Sequence, residues 1–337
     1  MTELLDNFWV LLGLKVALVG AVVPALLLPV VYAEIKLSAH MQSRVGPYYA
    51  GGRWGWAQPL ADGIKFFQKE DLIPSAADRW VFKLAPLVVL TSAIATYVII
   101  PIGPEWRVSD LDIGVFYALA ISSLSTLGVL MAGWSSGNKY SLVGGLRAAA
   151  QLIAYELPLV LAVLGVVIQA GTMSMVGIVE AQVNFHIPGT PEWLGLPFAI
   201  PQFVGFAIFL VAAVAELSRI PFDMPVAESE LVMGYLTEYS GYRFLLFFLA
   251  EYASAVALSA IAATLFLGGY HAPGLPDALA GPLVLGGKVA LLVFVLIWLR
   301  WTFPRFREDQ LQSLAWRWLI PAGLINVVVT AAAKVMI

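Results

Sequence analysis

The stretch WVLLGLKVALVGAVVPALLLPVVYA, residues 9–33, decides the fold class of this 337-residue chain, because it contains a single lysine and no other charge. A membrane-spanning helix needs about 20 predominantly apolar residues, and this stretch exceeds that length. Pro24 and Pro29 lie inside it, and membrane helices accommodate such prolines with a kink. The residues before it include Glu3 and Asp6 and lack the basic start of a secretory signal, so we expect a retained helix.

The composition extends this interpretation to the whole chain. Hydrophobic residues make up 60% of the sequence and charged residues only 12%, against about 25% charged in soluble domains. Seven more stretches are long and apolar enough to span: 81–102, 113–133, 152–171, 199–217, 244–267, 284–302 and 316–336. We therefore predict an all-α polytopic membrane helix bundle of about eight transmembrane helices, forming a single transmembrane domain over residues 1–337. The sequence has no basic patch of the kind that binds nucleic acid, so we expect no nucleic-acid partner.

The absence of cysteine removes several kinds of chemistry. Without thiolates the chain has no disulfide, no iron–sulfur ligation and no thiol catalysis. The three histidines, His40, His186 and His271, are far apart and show no ligand spacing, so we predict no metal site and no covalently bound cofactor.

Lysine and arginine orient the predicted helices. They concentrate in four connecting segments, 34–80, 134–151, 218–243 and 303–316, whereas the opposite side has only Lys15, Arg107, Lys288 and Lys334. The excess of positive charge on cytoplasmic loops predicts that the four segments are cytoplasmic and that both termini lie on the periplasmic side.

The first of these segments contains an amphipathic pattern. In AQPLADGIKFFQKED, residues 57–71, the apolar side chains of Leu60, Ile64 and Phe67 share one helical face, and the charges fall largely on the other. This pattern predicts a surface helix after the first span. It is compatible with a simple anchor with snorkelling lysines, and equally with a border of an entrance for a lipid-like substrate. The glycine-rich and aromatic stretch before it, residues 42–56, predicts irregular backbone.

Carboxylates gather between the fifth and sixth predicted spans. Glu216 closes the fifth span and Glu251 lies inside the sixth, where an ionised side chain is costly and usually faces a bundle interior or a wet cavity. Arg219 follows Glu216 by three residues and is positioned to hold a carboxylate ionised. A solvated acidic loop is the simpler alternative, but many apolar residues are interleaved with the acids. Glu156, near the start of the fourth predicted span, also has a plain interfacial interpretation.

Five motifs in order resemble the signatures of the H subunit of NADH-quinone oxidoreductase, which is the subunit 1 family of respiratory complex I. They are RVGP (44–47), QPLADGIKFFQKED (58–71), GWSSGNKYSLVGGLRAAAQLIAYE (133–156), AELSRIPFDMPVAESELVMGYLTEYSGYRFLLFFLAEY (215–252) and PRFREDQL (304–311). The resemblance implies a bacterial inner-membrane subunit of a proton-pumping translocase. It implies that the cytoplasmic loops, with two peripheral-arm subunits, enclose the chamber where ubiquinone or menaquinone is reduced. NADH and the iron–sulfur clusters belong to partner subunits, and further partners are lipids and the small membrane subunits beside the antiporter-like subunits.

The resemblance also implies roles for individual residues. Those it places at the quinone chamber and its entrance are Glu34, Arg44, Asp62, Lys65, Arg219 and Asp223. Those it places on a proton path are Glu156, Glu216, Glu228, Glu230, Glu238 and Glu251. Arg300 matches a basic residue of the family pattern without a defined role.

Three positions depart from the family pattern. Ile35 stands where a basic residue often follows the glutamate, Tyr48 where asparagine is common, and Ser123 where some members carry glutamate.

Other classes of function predict different features. A membrane subunit of a membrane-bound hydrogenase or formate hydrogenlyase complex is the nearest alternative, since such relatives keep the helices and several acids. A free-standing secondary transporter predicts inverted repeats and a broken helix at the midplane, neither of which the sequence shows. A passive anchor gives no reason for Glu251 within a span.

Overall fold

A computed structural model describes residues 8–186, 195–275 and 277–336, and within these ranges every regular element is helical. The helices are α1 (Phe8–Met41), α2 (Gln58–Gln68), α3 (Arg79–Thr96), α4 (Gly114–Ser135), α5 (Lys139–Ala170), α6 (Met175–Val183), α7 (Phe203–Glu216), α8 (Glu228–Leu231), α9 (Gly241–Phe266), α10 (Asp277–Thr302), α11 (Glu308–Ser313) and α12 (Ile320–Met336). Short 3₁₀ turns occupy Tyr97–Ile99 and Gly234–Leu236. A π-helical segment, Leu314–Leu319, joins α11 to α12.

The predicted polytopic helical bundle is confirmed. In the part of the chain that the structure describes, seven helices are long and apolar enough to cross a membrane, and they correspond to seven of the eight predicted stretches. The fifth predicted stretch, 199–217, forms α7, which has only 14 residues. At 1.5 Å per residue α7 is about 21 Å long, short of the roughly 30 Å hydrocarbon core.

Two helices extend well beyond the apolar windows that predicted them. Helix α1 continues to Met41, so Glu34 lies inside a helix and not in a loop. Helix α5 begins at Lys139, where Asn138 caps it by accepting a hydrogen bond from the backbone N–H of Tyr140. Because α5 has 32 residues, Glu156 lies near its middle. Polar residues on a face turned toward protein do not end a helix, although they end a hydropathy window.

Glycine lets neighbouring helices approach closely. A Cβ atom added at Gly133 of α4 would lie 2.8 Å from the Cα atom of Gly145 in α5. At Gly128 of α4 an added Cβ would lie 2.4 Å from the Cγ2 atom of Val89 in α3. Membrane helices associate through such small residues, because lipid offers no hydrophobic drive between them. The close contacts fix α3, α4 and α5 as a rigid wall.

The charged groups collect at one end of the bundle, which we call the charged end. Helices α1, α4, α7 and α10 finish there, and α3, α5 and α9 begin there. Contacts that cross between them include a hydrogen bond of 2.9 Å from the backbone N–H of Asp78 to the carbonyl of Ser135. The connection between α7 and α9 folds back onto this end and carries most of the acidic stretch.

The predicted amphipathic helix is confirmed as α2. It lies between α1 and α9 at the charged end, and none of its residues is buried. Phe66 of α2 stacks on Phe244 of α9, with ring centroids 5.6 Å apart. The apolar face of α2 is therefore only partly covered by this chain.

Candidate functional site

Arg219 is the centre of a buried ionic group at the charged end. Its Nη1 donates to Glu34 of α1 at 3.1 Å, and its Nε donates to Glu251 of α9 at 3.0 Å. The guanidinium also lies over the ring of Tyr252, with Cζ 4.7 Å from the ring centroid. Arg300 of α10 donates to the other oxygen of Glu34. These five residues, which we call the Arg219 cluster, tie the connection after α7 to three long helices.

The burial of the Arg219 cluster explains why its positive and negative charges are balanced. The side chains of Arg219 and Glu34 are 4% and 6% exposed, whereas that of Glu251 is 40% exposed. A buried charge is tolerated only when it is paired and hydrogen-bonded, and each of these charges has an opposite partner. Although burial alone would lower the pKa of Arg219, Glu251 and Glu34 outweigh it and hold this pKa above its usual value. Arg219 therefore stays cationic.

Glu251 is more exposed because it faces a cavity of about 260 Å³. We call this the carboxylate cavity. Its lining includes four carboxylates and two guanidiniums: Glu216, Asp223, Glu228, Glu251, Arg219 and Arg300. At about 30 Å³ per molecule the volume corresponds to about eight waters. These residues come from four helices and from the connection after α7, and the fold brings them to one space.

Asp223 is the cavity carboxylate that lies in the irregular connection. Burial raises its pKa to about 6, and the nearby guanidiniums of Arg305 and Arg300 oppose that rise. Such a group changes its protonation state close to neutral pH, as a proton donor or acceptor must.

Helix α5 is the platform on which the acidic connection rests. The buried amide of Gln151 donates to the carbonyls of Ala215 at 2.7 Å and Phe222 at 2.8 Å. About two turns earlier in α5, Gly144 lies so close to Gly234 that an added Cβ would be 2.6 Å from its Cα atom. The connection is therefore held on α5 in two ways: the side-chain amide of Gln151 binds two of its carbonyls, and Gly144 lets its backbone approach closely.

The remaining acids divide between the surface and the bundle. Glu230 is half-exposed and pairs with Arg147 at 2.6 Å and Arg305 at 3.4 Å, and the hydrogen bond from Arg147 lowers its pKa. Glu238 accepts a hydrogen bond of 2.6 Å from the amide of Asn138. The structure thus places Glu230 and Glu238 in contacts between elements and outside the lining of the carboxylate cavity.

Glu216, which lines the carboxylate cavity, also lies near the carboxylate of Glu156. Glu216 is the last residue of α7, and its neighbours include the carboxylate of Glu156 and the hydroxyl of Ser122 in α4. Ser123, the position that departs from the family pattern, instead donates to the carbonyl of Ala120 in its own helix. Two other serine hydroxyls of α4 lie near the acids instead. That of Ser122 is beside Glu216, and Ser125 is part of the lining of the carboxylate cavity.

The other predicted chamber residues lie apart from the carboxylate cavity. Arg44 is exposed and donates to Gln42 at 2.6 Å. Asp62 accepts from Gln58 at 2.8 Å and lies 3.7 Å from the ammonium of Lys65. Asp62 and Lys65 are on α2, where they border a different space.

That space is an apolar groove of about 560 Å³ between α1, α2 and α9, which we call the membrane groove. Leu27 and Val31 of α1 face Ile64 of α2 across it. Phe248 of α9 lines both the membrane groove and the carboxylate cavity. One aromatic side chain thus lies between an apolar groove and a polar cavity.

Sequence reasoning missed three contributors. Gln151 stands out in the sequence only for its helix face, yet it holds the connection after α7. Tyr252 and Phe248 carry no charge and resemble ordinary core aromatics. Their spacing around Glu251, at one residue and three residues, is the only signal that marks them. Over residues 8–186, 195–275 and 277–336, no group of three or more acidic, histidine or cysteine side chains is arranged to hold a metal ion.

Comparison with known proteins identifies relatives over nearly the whole chain. The profile of a family described as NADH dehydrogenase matches residues 14–331. The H subunit of NADH-quinone oxidoreductase from Geobacillus kaustophilus (strain HTA426) is 46% identical, over 94% of this chain and 92% of the relative. The corresponding protein of Bacillus cytotoxicus, which has the same name, is 44% identical, over 98% of this chain and 95% of the relative. That of Anoxybacillus flavithermus (strain DSM 21510 / WK1) is 44% identical, over 96% of this chain and 92% of the relative.

Identity at this level over such coverage agrees with the helical bundle, its seven membrane-capable helices and the five motifs. The chain therefore belongs to the NADH dehydrogenase family, as a membrane subunit of an NADH-quinone oxidoreductase.

Proposed function

We propose that this subunit forms the membrane-side wall of a quinone-reduction chamber, supplies protons to the quinone, and couples that reduction to proton translocation through a path of carboxylates. The observation that carries this proposal is the arrangement around Phe248: an apolar groove between α1, α2 and α9 on one side and a cavity lined by four carboxylates on the other. A quinone has an isoprenoid tail and a ring with two carbonyl oxygens. The membrane groove suits the tail, and the carboxylate cavity suits the ring.

The division of chemistry between subunits follows from the residue types. Reduction of a quinone to a quinol consumes two electrons and two protons. The chain lacks cysteine, so the electrons come from iron–sulfur clusters in peripheral-arm subunits, which receive them from NADH. This chain contributes to the proton side. Asp223, whose pKa is raised to about 6, has a carboxyl able to release a proton toward the ring near neutral pH.

The proton path that we propose starts at the Arg219 cluster. Glu251 and Glu228 line the same cavity as Asp223, so water there connects them. Glu216 also lines the cavity and lies beside Glu156 of α5, which points the path into the bundle. From there the proposed proton path continues into the small membrane subunits that lie next to the antiporter-like subunits. Arg219 sets the charge of the group by balancing Glu34 and Glu251.

We place the charged end on the cytoplasmic side, where the peripheral arm docks, in the inner membrane of a bacterium. Most lysines and arginines of the chain lie at that end, in agreement with the positive-inside bias. With α7 counted as a crossing, both termini lie on the periplasmic side. The exposed pairs around Glu230 and Arg147 then belong to the face that meets the peripheral-arm subunits.

A photoaffinity quinone tests the chamber. The assembled complex is illuminated with a quinone that carries a photoreactive group on its ring, and the modified peptides are mapped. We expect labels within 215–251, with the same reagent bearing the group at the end of its tail labelling 27–35 and 59–69. Labels confined to the segments at the opposite end, such as 100–113 and 172–186, contradict the proposal.

A further inference from the structure

The C-terminal end of α2 is attached to α9 by a buried ion pair that the quinone chamber does not account for. Arg243 Nη2 lies 2.9 Å from Asp71 Oδ2, and the two side chains are 5% and 26% exposed. The Arg243 guanidinium also lies over the rings of Phe82 and Tyr242, at 5.6 and 5.5 Å from their centroids. Among the described residues, Asp71 Oδ1 and Arg243 Nη1 have no hydrogen-bond partner, so each group depends on the other.

Backbone contacts reinforce the same junction. The Ser240 hydroxyl donates to the carbonyl of Glu70 at 3.2 Å and accepts from the backbone N–H of Leu72 at 3.3 Å. Gly241 has a φ of +56°, and a Cβ atom there would lie 3.2 Å from the carbonyl oxygen of Lys69. The chain after α2 is therefore pressed against the start of α9 over several residues.

The other side of α2 is tied to α1. The Tyr32 hydroxyl donates to the carbonyl of Trp54 at 2.7 Å, and Lys36 donates to the carbonyl of Pro47. Helix α2 thus forms a strap across the membrane groove, fixed to α1 through the loop before it and to α9 through the segment after it. Between these fixed points no residue of α2 is buried, so beyond contacts such as the stacking of Phe66 on Phe244 little packing resists its movement.

We infer that the Asp71–Arg243 pair is a latch that positions α2 over the membrane groove and so sets the access of a long-tailed quinone. Asp71 and Arg243 are positioning residues, since neither lines the groove or the carboxylate cavity. The inference rests on the proposed entry of quinone through the groove. Release of the latch leaves the groove correctly shaped for only a fraction of the time, and apparent affinity falls by that fraction.

The test uses the assembled complex in its membrane with Asp71→Asn, which keeps the shape of the side chain and removes its charge. Hydrogen–deuterium exchange of residues 60–68 reports the mobility of α2 without reference to activity. Steady-state kinetics with a long-tailed and a short-tailed quinone report its consequence. We expect roughly tenfold faster exchange and a roughly tenfold higher KM for the long-tailed quinone, the scale of one weakened charge-assisted hydrogen bond. The kcat and the KM for the short-tailed quinone stay near wild type.

Three further variants serve as controls for Asp71→Asn. Asp71→Glu keeps a carboxylate within reach of Arg243 and is expected to restore most of the KM. Asp110→Asn breaks an ion pair with Arg107 of the same length, 2.9 Å, at the opposite end of the bundle, and is expected to change neither measurement. Where Arg243→Gln assembles, it reproduces Asp71→Asn; where it does not, Asp71→Asn alone decides.

The outcomes separate the latch from the proposed function. Unchanged exchange in 60–68 overturns the latch, whatever the kinetics. Faster exchange with an unchanged KM for both quinones shows that α2 has been released without affecting the substrate, which contradicts its role in access, whereas the proposed groove entry is tested separately by the tail-labelling experiment. A KM rise of equal size for both quinones also contradicts the inference, since the effect then has no connection with the tail.

Discussion

Replacement of Gly144 by alanine tests whether the acidic connection is seated on α5. The added Cβ atom would lie 2.6 Å from Gly234 Cα and 2.7 Å from the backbone nitrogen of Tyr235. Both obstacles are backbone, which cannot rotate aside, so the two segments must separate by about 1 Å, at an overpacking cost of about 1–3 kcal/mol. Tyr235 lines the carboxylate cavity, and a displacement of about 1 Å near a site costs on the order of 100-fold in rate.

The assay compares two electron acceptors in the same assembled complex. Under the proposed function quinone reduction requires the chamber, whereas a hydrophilic artificial acceptor takes electrons from the peripheral arm directly. We expect Gly144→Ala to lose about 100-fold in quinone reduction and to keep the artificial reaction. Gly287→Ala in α10, where an added Cβ meets nothing within 4 Å, is the matched control and keeps both. Wild-type quinone reduction in Gly144→Ala refutes the seating of the connection on α5.

Three further changes probe separate parts of the site. Burial raises the pKa of Asp223 to about 6, so this carboxyl is mostly protonated below pH 6 and ionised above it. Because only the protonated form can give a proton to the quinone, we expect the rate of quinone reduction to fall above pH 6. The Asp223→Asn variant is expected to reduce quinone more slowly, at a rate that does not change between pH 5 and pH 8. Gln151→Leu leaves the carbonyls of Ala215 and Phe222 without a hydrogen-bond donor, which costs about 1–3 kcal/mol for each carbonyl. We therefore expect this variant to lower the melting temperature of the complex and to abolish quinone reduction. A melting temperature equal to wild type contradicts this expectation. Gly165→Ala places a Cβ atom 2.8 Å from the Gln202 amide, far from the cavity, so calorimetry should show a lower melting temperature with normal turnover.

Much of the fold was predictable because lipid imposes a simple rule on the sequence. Stretches of about 20 apolar residues predicted eight spans, seven of which are membrane-capable helices, and the amphipathic spacing of Leu60, Ile64 and Phe67 predicted α2. The same rule misplaced the helix ends. It depends on hydropathy, and α5 continues through Lys139 and Arg147 because they face protein or water at the charged end. It also overestimated α7, since Pro201 lies near the start of the predicted stretch and the helix begins only at Phe203.

The sequence marked several residues of the Arg219 cluster and of the carboxylate cavity, but it did not indicate how they are arranged. Charge in an apolar chain marked Glu216, Arg219 and Glu251 as unusual, and the resemblance supplied Glu34. That Arg219 bridges Glu34 and Glu251 is a contact between residues far apart in sequence. No local pattern encodes such a pair. Pairings of this kind depend on how α1 and α9 cross, which packing at small residues decides.

The uncharged parts of the site are harder still to predict. Gln151 and Phe248 have residue types that are common in any helix bundle. Their importance comes from what they touch: two backbone carbonyls for Gln151, and both the groove and the cavity for Phe248. Side chains whose role is to position others are visible only once the neighbours are known.

The most direct test of the central claim is proton transfer by the assembled Glu251→Gln complex in sealed vesicles. Quinone reduction and proton uptake into the vesicle lumen are measured together, with the artificial acceptor as the check on assembly. Because Glu251 joins Arg219 to the carboxylate cavity, we expect an assembled complex with wild-type artificial-acceptor activity that has lost proton transfer or quinone reduction. Wild-type turnover together with the wild-type number of protons moved per electron contradicts it.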